Sequence, residues 1–225
     1  MPDINSVTFD LSDCKLVEES DAHRMWASAT GVYHNLRVSP QPPAWPFDLR
    51  DCAAAADFYS RQCVENKGVM LEMEVIQMGQ LSALRGLFKY RSPVPKSLAM
   101  MFVHILWIPF KGWTIQLNVE SVEAGTTGMR EAAMMLIEGD KWPIPSSTEA
   151  PIEISSPDDM FDQMRSQPLR ALPSDDEKYD ETFPDHPLSK VRRRMTEVIS
   201  SLAVSAPPKD LAPFRKAAWW RKLFK

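Results

Sequence analysis

Cysteine, histidine and glycine are scarce in this chain of 225 residues, which holds 3, 4 and 8 of them. An odd number of cysteines without framework spacing argues against a disulfide-rich secreted fold. Few glycines beside 19 prolines indicate long irregular connections rather than tight repeated turns. The longest apolar run, at 98–110, is too short to cross a bilayer as a helix, and the first residues lack the pattern of a secretory signal. We therefore expect a cytoplasmic protein.

The common motifs of catalytic, metal and cofactor sites are missing as well. No two histidines lie three or four residues apart, and no cysteine is placed to complete a metal site. The chain contains no Gly-x-Ser-x-Gly elbow, no Walker loop and no dinucleotide fingerprint. We therefore expect no metal, no cofactor and no catalytic residues.

Charge is unevenly distributed along the chain. Residues 189–225 contain 10 basic and 2 acidic residues, and because the whole chain carries −4, residues 1–188 carry −12. An acidic body with a basic end favours an anionic partner for that end, or docking of the end on the body. We expect no nucleic-acid binding, because the body is acidic and no recognition motif is present.

The middle of the chain predicts an α+β fold. A helix is expected over 48–68, beginning at Asp48, and four strands follow at 69–78, 81–90, 98–108 and 113–120. The strand at 98–108 is apolar on both faces, which indicates a central strand covered on both sides. Short links between consecutive strands predict an antiparallel meander flanked by helices.

We divide the chain into a sheet domain, 1–140, and a second part, 141–225, made of a linker and a helical C-terminal arm that packs on the same domain. The arm contains a helix from about residue 185, whose apolar stripe is heptad-like. The stripe consists of Leu188, Val191, Met195, Val198 and Leu202. The acidic segment 175–185 is expected to balance the run Arg192–Arg194.

A further helix is predicted over 125–139. Thr126 or Thr127 is expected to cap it, and with Gly128 these residues form a candidate anion-binding site at its N-terminus. Its periodicity predicts a buried apolar stripe, which comprises Met129, Ala132, Ala133, Leu136 and Ile137.

Three residues keep an enzymatic alternative open. Glu72 and Glu74 share one face of a strand, and paired carboxylates can carry out acid–base chemistry. His186 could serve as a general base in a site assembled from distant parts of the chain. Its position just before Pro187 is more typical of a helix cap.

The C-terminal run 214–225 mixes aromatic and basic side chains. Such a mixture suits an anionic membrane surface or a groove on a partner protein, and it is equally consistent with docking on the acidic body. The candidate binding residues are Arg215, Lys216, Trp219, Trp220, Arg221, Lys222 and Phe224.

Two stretches resemble a family of largely uncharacterised bacterial proteins. They are Glu123-Ala-Gly-Thr-Thr-Gly-Met-Arg-Glu-Ala132 and Tyr179-Asp-Glu-Thr-Phe-Pro-Asp-His-Pro-Leu-Ser-Lys190. The resemblance covers 48–204 and implies no catalytic residues. The order of elements also resembles the PsbP-like α+β fold, whose bacterial members often serve as adaptors, chaperones or accessory subunits.

These observations favour a bacterial protein-binding module without enzymatic activity. Its partner would be another protein, and the most concrete form is an immunity protein or adaptor for a secreted toxin or effector, since an acidic body can attract a basic cleft. The alternatives are an enzyme with a dispersed acid–base site and a membrane-surface accessory protein that uses the tail.

Overall fold

The computed structural model describes residues 3–142, 157–206 and 210–214, with backbone only at 157–159. Its strands are β1 (Val7–Thr8), β2 (Cys14–Glu19), β3 (His23–Ser28), β4 (Val32–Ser39), β5 (Val69–Met78), β6 (Leu81–Arg91), β7 (Met100–Pro109), β8 (Thr114–Val122) and β9 (Ala203–Val204). Its α-helices are α1 (Cys52–Glu65), α2 (Met129–Ile137), α3 (Pro157–Ser166) and α4 (Pro187–Ser201).

Seven strands form one antiparallel sheet in the order β2-β3-β4-β8-β7-β6-β5. Two meanders, β2-β3-β4 and β5-β6-β7-β8, are joined where β4 pairs with β8. β1 and β9 form a separate two-stranded sheet. The predicted α+β class with an antiparallel sheet and flanking helices is confirmed. β7 lies inside the sheet, as its apolar faces indicated, although the middle strand is β8.

Two apolar cores cover the sheet. One lies beneath α4, where four residues of the predicted stripe (Leu188, Val191, Met195 and Val198) are buried and Leu202 is partly buried. The other lies beneath α1 and includes Trp45, Phe47, Phe88 and Trp107. The predicted start of α1 at Asp48 is wrong. The carboxylate of Asp51 accepts the Ala54 N–H, 3.0 Å away, so the cap lies three residues later.

His34 on β4 is fully buried beneath α4. The folded protein favours the uncharged form of its ring. Arg194 Nε donates to His34 Nε2 at 3.0 Å, so the ring accepts at that nitrogen. Burial, and next the positive charge of Arg194, lower the pKa of His34 to about 4, while the nearby Asp13 opposes the shift. The buried His104 on β7 has its pKa lowered to about 3, mainly by burial and secondarily by Arg85.

We expect stability to fall on mild acidification. Between the unfolded histidine pKa of about 6.5 and the folded value, the unfolded chain binds protons that the native chain does not, so the free energy of unfolding decreases as pH falls. For His34 the loss between pH 7.5 and pH 5 is about 2 kcal/mol. Urea unfolding at both pH values measures it. His34→Gln should remove that share of the pH dependence, and an unchanged dependence would refute the assignment.

Candidate functional site

The two stretches that the sequence analysis singled out pack against each other. Arg130 on α2 pairs with Asp180 at 2.9 Å and donates to Ser189 Oγ at 2.8 Å. On the same side of the molecule, Glu123 lies 3.5 Å from His186. The contacts join the end of β8, the start of α2 and the approach to α4. Charged and polar side chains from distant parts of the described chain therefore meet in one region.

Arg130 is the largest of the fully buried side chains, with 1% of its surface exposed. Its Nε donates to the carbonyl of Ser174 at 2.6 Å, and its Nη2 donates to the carbonyl of Asp176 at 2.9 Å. The guanidinium also faces the ring of Phe183, with 5.7 Å to the centroid. One side chain thus fixes the segment that runs from Ser174 towards α4.

α2 turns a different face inward from the one that its periodicity predicted. Arg130 and Met134 are buried, whereas Met129, Leu136 and Ile137 are exposed by 60%, 89% and 69%. The predicted buried stripe is wrong because the inner surface is lined by carbonyl and carboxylate oxygens that bind the guanidinium. The apolar side chains of α2 are consequently exposed to solvent.

The start of α2 also differs from the prediction. The N-cap is Gly128, with φ +73°, and neither Thr126 nor Thr127 makes a capping bond. The Gly128 N–H donates to Glu123 Oε1 at 3.1 Å, and the Met100 N–H donates to Glu123 Oε2 at 2.8 Å. The carboxylate of Glu123 therefore occupies the N-terminus of α2, where an external anion was predicted to bind. Binding of an external anion at Thr126, Thr127 and Gly128 stays a prediction.

Glu123 is held in its ionised form by these donors. Burial raises the pKa of Glu123, but His186 and the two backbone N–H groups outweigh it and leave the pKa below its ordinary value. The carboxylate is thus a fixed negative charge inside the protein.

Lys89 on β6 provides the buried positive charge at the centre of this region. Its Nζ lies 2.9 and 3.2 Å from the two oxygens of Asp175 and 3.6 Å from Glu131 on α2. The ammonium also faces the ring of Phe102 at 5.8 Å. Lys89 and Arg130 together bind the 173–180 segment to the sheet and to α2.

His186 caps α4, as the sequence indicated. Its Nδ1 accepts the Leu188 N–H at 3.2 Å, so the proton of the neutral ring lies on Nε2. That nitrogen, Glu123 and Glu131 contribute atoms that all lie within 4.8 Å of one another. Three such groups could suggest a metal centre, but a protonated Nε2 has no lone pair for a metal. The cluster is better described as a donor facing two carboxylates.

A cavity of about 500 Å³ opens beside Glu123 and Glu131. Lys89, Glu123 and Glu131 form its charged part, and Leu98, Trp142 and Leu169 contribute to its apolar walls. Its size is in the range of small-molecule sites.

The residues of the enzymatic alternative do not meet. Glu72 pairs with Arg192 on α4 at 2.6 Å, Glu74 pairs with Arg85, and His186 lies with Glu123. Arg192 also pairs with Asp180, as expected for the acidic segment, whereas Arg194 pairs with Asp13 and Glu197.

The candidate residues of the tail, Arg215 to Phe224, lie outside the described residues. Within the part of the chain that is described, no helix combines the length and the apolar character needed to span a membrane.

Comparison with known proteins gives no family. No protein-family model matches the chain, and no curated protein matches it. The solved structures with a similar shape include a crystal structure from Bacteroides thetaiotaomicron, with 12% sequence identity and a TM-score of 0.32. The similarity covers 61% of this chain and 47% of the other. The resemblances noted in the sequence stay predictions.

Proposed function

We propose that this chain is a protein-binding module without enzymatic activity and that its partner docks on the outward face of α2. The observation that carries the proposal is the exposure of Met129, Met135, Leu136 and Ile137 on this one helix. Several exposed apolar side chains on one helix are typical of sites where another protein binds. Methionine-rich surfaces also adapt readily to a partner.

The partner should combine an apolar segment with basic residues. Residues 1–188 carry a net charge of −12. A negative body attracts a basic partner over long range and increases its rate of association. A basic surface on a secreted toxin or effector fits this chemistry, which would make the chain an immunity protein or an adaptor.

The decisive variant is Leu136→Asp/Ile137→Asp, which places two charges in the apolar face. Val64→Asp is the matched control, because Val64 is 74% exposed on α1, outside the proposed surface. All three substituted positions are solvent-exposed, so both variants should keep the wild-type free energy of unfolding within about 0.5 kcal/mol. Only the double variant should fail to bind.

The partner is first captured from cells that make this protein and is identified by mass spectrometry, and binding is then measured with both proteins purified. We expect the affinity for wild type and Val64→Asp to be at least roughly 100-fold higher than for the double variant, because two aspartates would be buried without partners. Equal binding by all three proteins, or no protein that binds after purification, would refute the proposal.

A further inference from the structure

The cavity beside Glu123 and Glu131 has a wall that is largely apolar. The apolar side chains come from β7, α3 and the segments next to them, and they include Leu98, Met100, Trp142, Met164, Leu169 and Leu172. A concave site with apolar walls and a few polar groups is typical of small-molecule binding. The wall therefore favours a ligand with an apolar body.

The two carboxylates in the wall are already stabilised by the protein itself. Glu123 accepts the N–H groups of Gly128 and Met100, and Glu131 lies 3.6 Å from Lys89 Nζ. A ligand therefore does not have to supply a positive charge to balance them.

Arginines without an acidic partner lie beside the cavity where α3 ends. Arg170 lines the cavity, and Arg91 Nη2 donates to the carbonyl of Gln167, another lining residue, at 3.0 Å. Among the described residues, the ion pairs formed by arginines do not include Arg91, Arg165 or Arg170. This side of the cavity thus carries positive charge that no carboxylate of the described chain neutralises.

Arg91 and Arg165 also lie close enough to affect each other. Arg165 donates to the carbonyls of Ser92 and Val94, just after Arg91 in the chain, at 3.2 and 3.3 Å. Burial, and next the positive charge of Arg165, lower the pKa of Arg91. Partly buried like charges are unfavourable unless an anion lies beside them. A carboxylate suits this position, because a guanidinium can bind both of its oxygens.

We propose that the cavity binds a small carboxylate with an apolar body, which packs against Met100 and Trp142 while the carboxylate pairs with Arg170. The nearby guanidinium of Arg91 adds to the attraction. The exposed apolar side chains of α2 that form the proposed docking surface do not line this cavity. Either proposal can therefore fail without the other.

Calorimetric titration of the purified protein with octanoate and 3-phenylpropanoate tests the site. Octylamine supplies an apolar body without the negative charge, and acetate supplies the charge without the body. We expect at least one of the two acids to bind, and each control to bind at least roughly tenfold more weakly. No saturable binding of either acid up to about 10 mM would overturn the proposal. Octylamine that binds as tightly as the acids would also overturn it.

Arg170→Gln removes the proposed partner of the carboxylate. We expect it to weaken binding of the acid by roughly tenfold or more, because the charge-assisted pair is lost. Arg50→Gln is the matched control, since Arg50 is also exposed but does not line this cavity. The control should bind as the wild type does, and unaltered binding by Arg170→Gln would contradict the proposed position.

Methyl NMR of the methionines locates the ligand without any substitution. Addition of octanoate to the wild-type protein should shift the methyl signals of Met100 and Met164, which line the cavity, and leave that of Met25 on β3 in place. Shifts confined to methionines outside the cavity would place the ligand elsewhere and contradict the proposal.

Discussion

Replacing Arg130 with methionine should lower the free energy of unfolding by about 3–5 kcal/mol. The guanidinium is buried and binds the carbonyl groups of Ser174 and Asp176, the hydroxyl of Ser189 and the carboxylate of Asp180. Methionine fills similar space but leaves these oxygens buried without their donor, and each unsatisfied group adds to the cost. Urea unfolding monitored by tryptophan fluorescence measures the loss.

Arg61→Met is the matched control for this prediction. Arg61 is an exposed residue inside α1, so the same substitution there should change the free energy of unfolding by less than about 0.5 kcal/mol. Arg130→Lys keeps the charge but cannot reproduce the planar set of donors, so it should also be strongly destabilising. Similar small effects at positions 130 and 61 would show that Arg130 is not the centre of this region.

Replacing Lys89 with methionine should also cost about 3–5 kcal/mol, because the buried carboxylate of Asp175 and the partly buried carboxylate of Glu131 lose their counter-charge. Asp175 is almost completely buried, and Glu131 is held against the same ammonium. The reasoning differs from that for Arg130, because here the penalty is an unpaired buried charge. Replacing both members of a buried pair is far less costly than replacing one.

A double-mutant cycle separates these contributions. We expect Lys89→Met/Asp175→Asn to be less destabilised than the sum of the single variants by about 1–3 kcal/mol. Lys178→Met provides the comparison, because Lys178 pairs with Glu138 at 3.2 Å on the surface and should contribute less than about 1 kcal/mol. Strict additivity of the two core substitutions would show that Lys89 and Asp175 do not form the pair described.

Much of the fold follows from local patterns in the sequence. Alternation predicted β5, β6 and β8, and a run that is apolar on both faces predicted β7. The spacing of Leu188, Val191, Met195 and Val198 predicted the buried face of α4. The cap at His186 was also recognisable, because the residue before a proline at the start of a helix is extended. Each of these features depends on residues close together in the chain.

The orientation of α2 could not be obtained in this way. Periodicity showed that Met129, Leu136 and Ile137 share a face, and an apolar face is normally the buried one. The deciding contacts come from Ser174, Asp176 and Ser189, which lie 44–59 residues away from Arg130. The excess of acidic residues at 175–185 indicated that basic side chains pair with this segment. The sequence analysis considered only Arg192–Arg194 as those partners and did not include Lys89 or Arg130. The cavity was missed because its lining comes from β6, β7, α2, α3 and the segment after α3, which lie far apart in the chain.

Methionine oxidation in the folded wild-type protein tests the orientation of α2 most directly. Met129 and Met135 are exposed by 60% and 54%, whereas Met134 is exposed by 1%. Hydrogen peroxide should therefore oxidise Met129 and Met135 at least roughly tenfold faster than Met134, as followed by peptide mass spectrometry. A protected Met129 beside a reactive Met134 would mean that the apolar face is buried, and it would contradict both the buried arginine and the proposed docking surface.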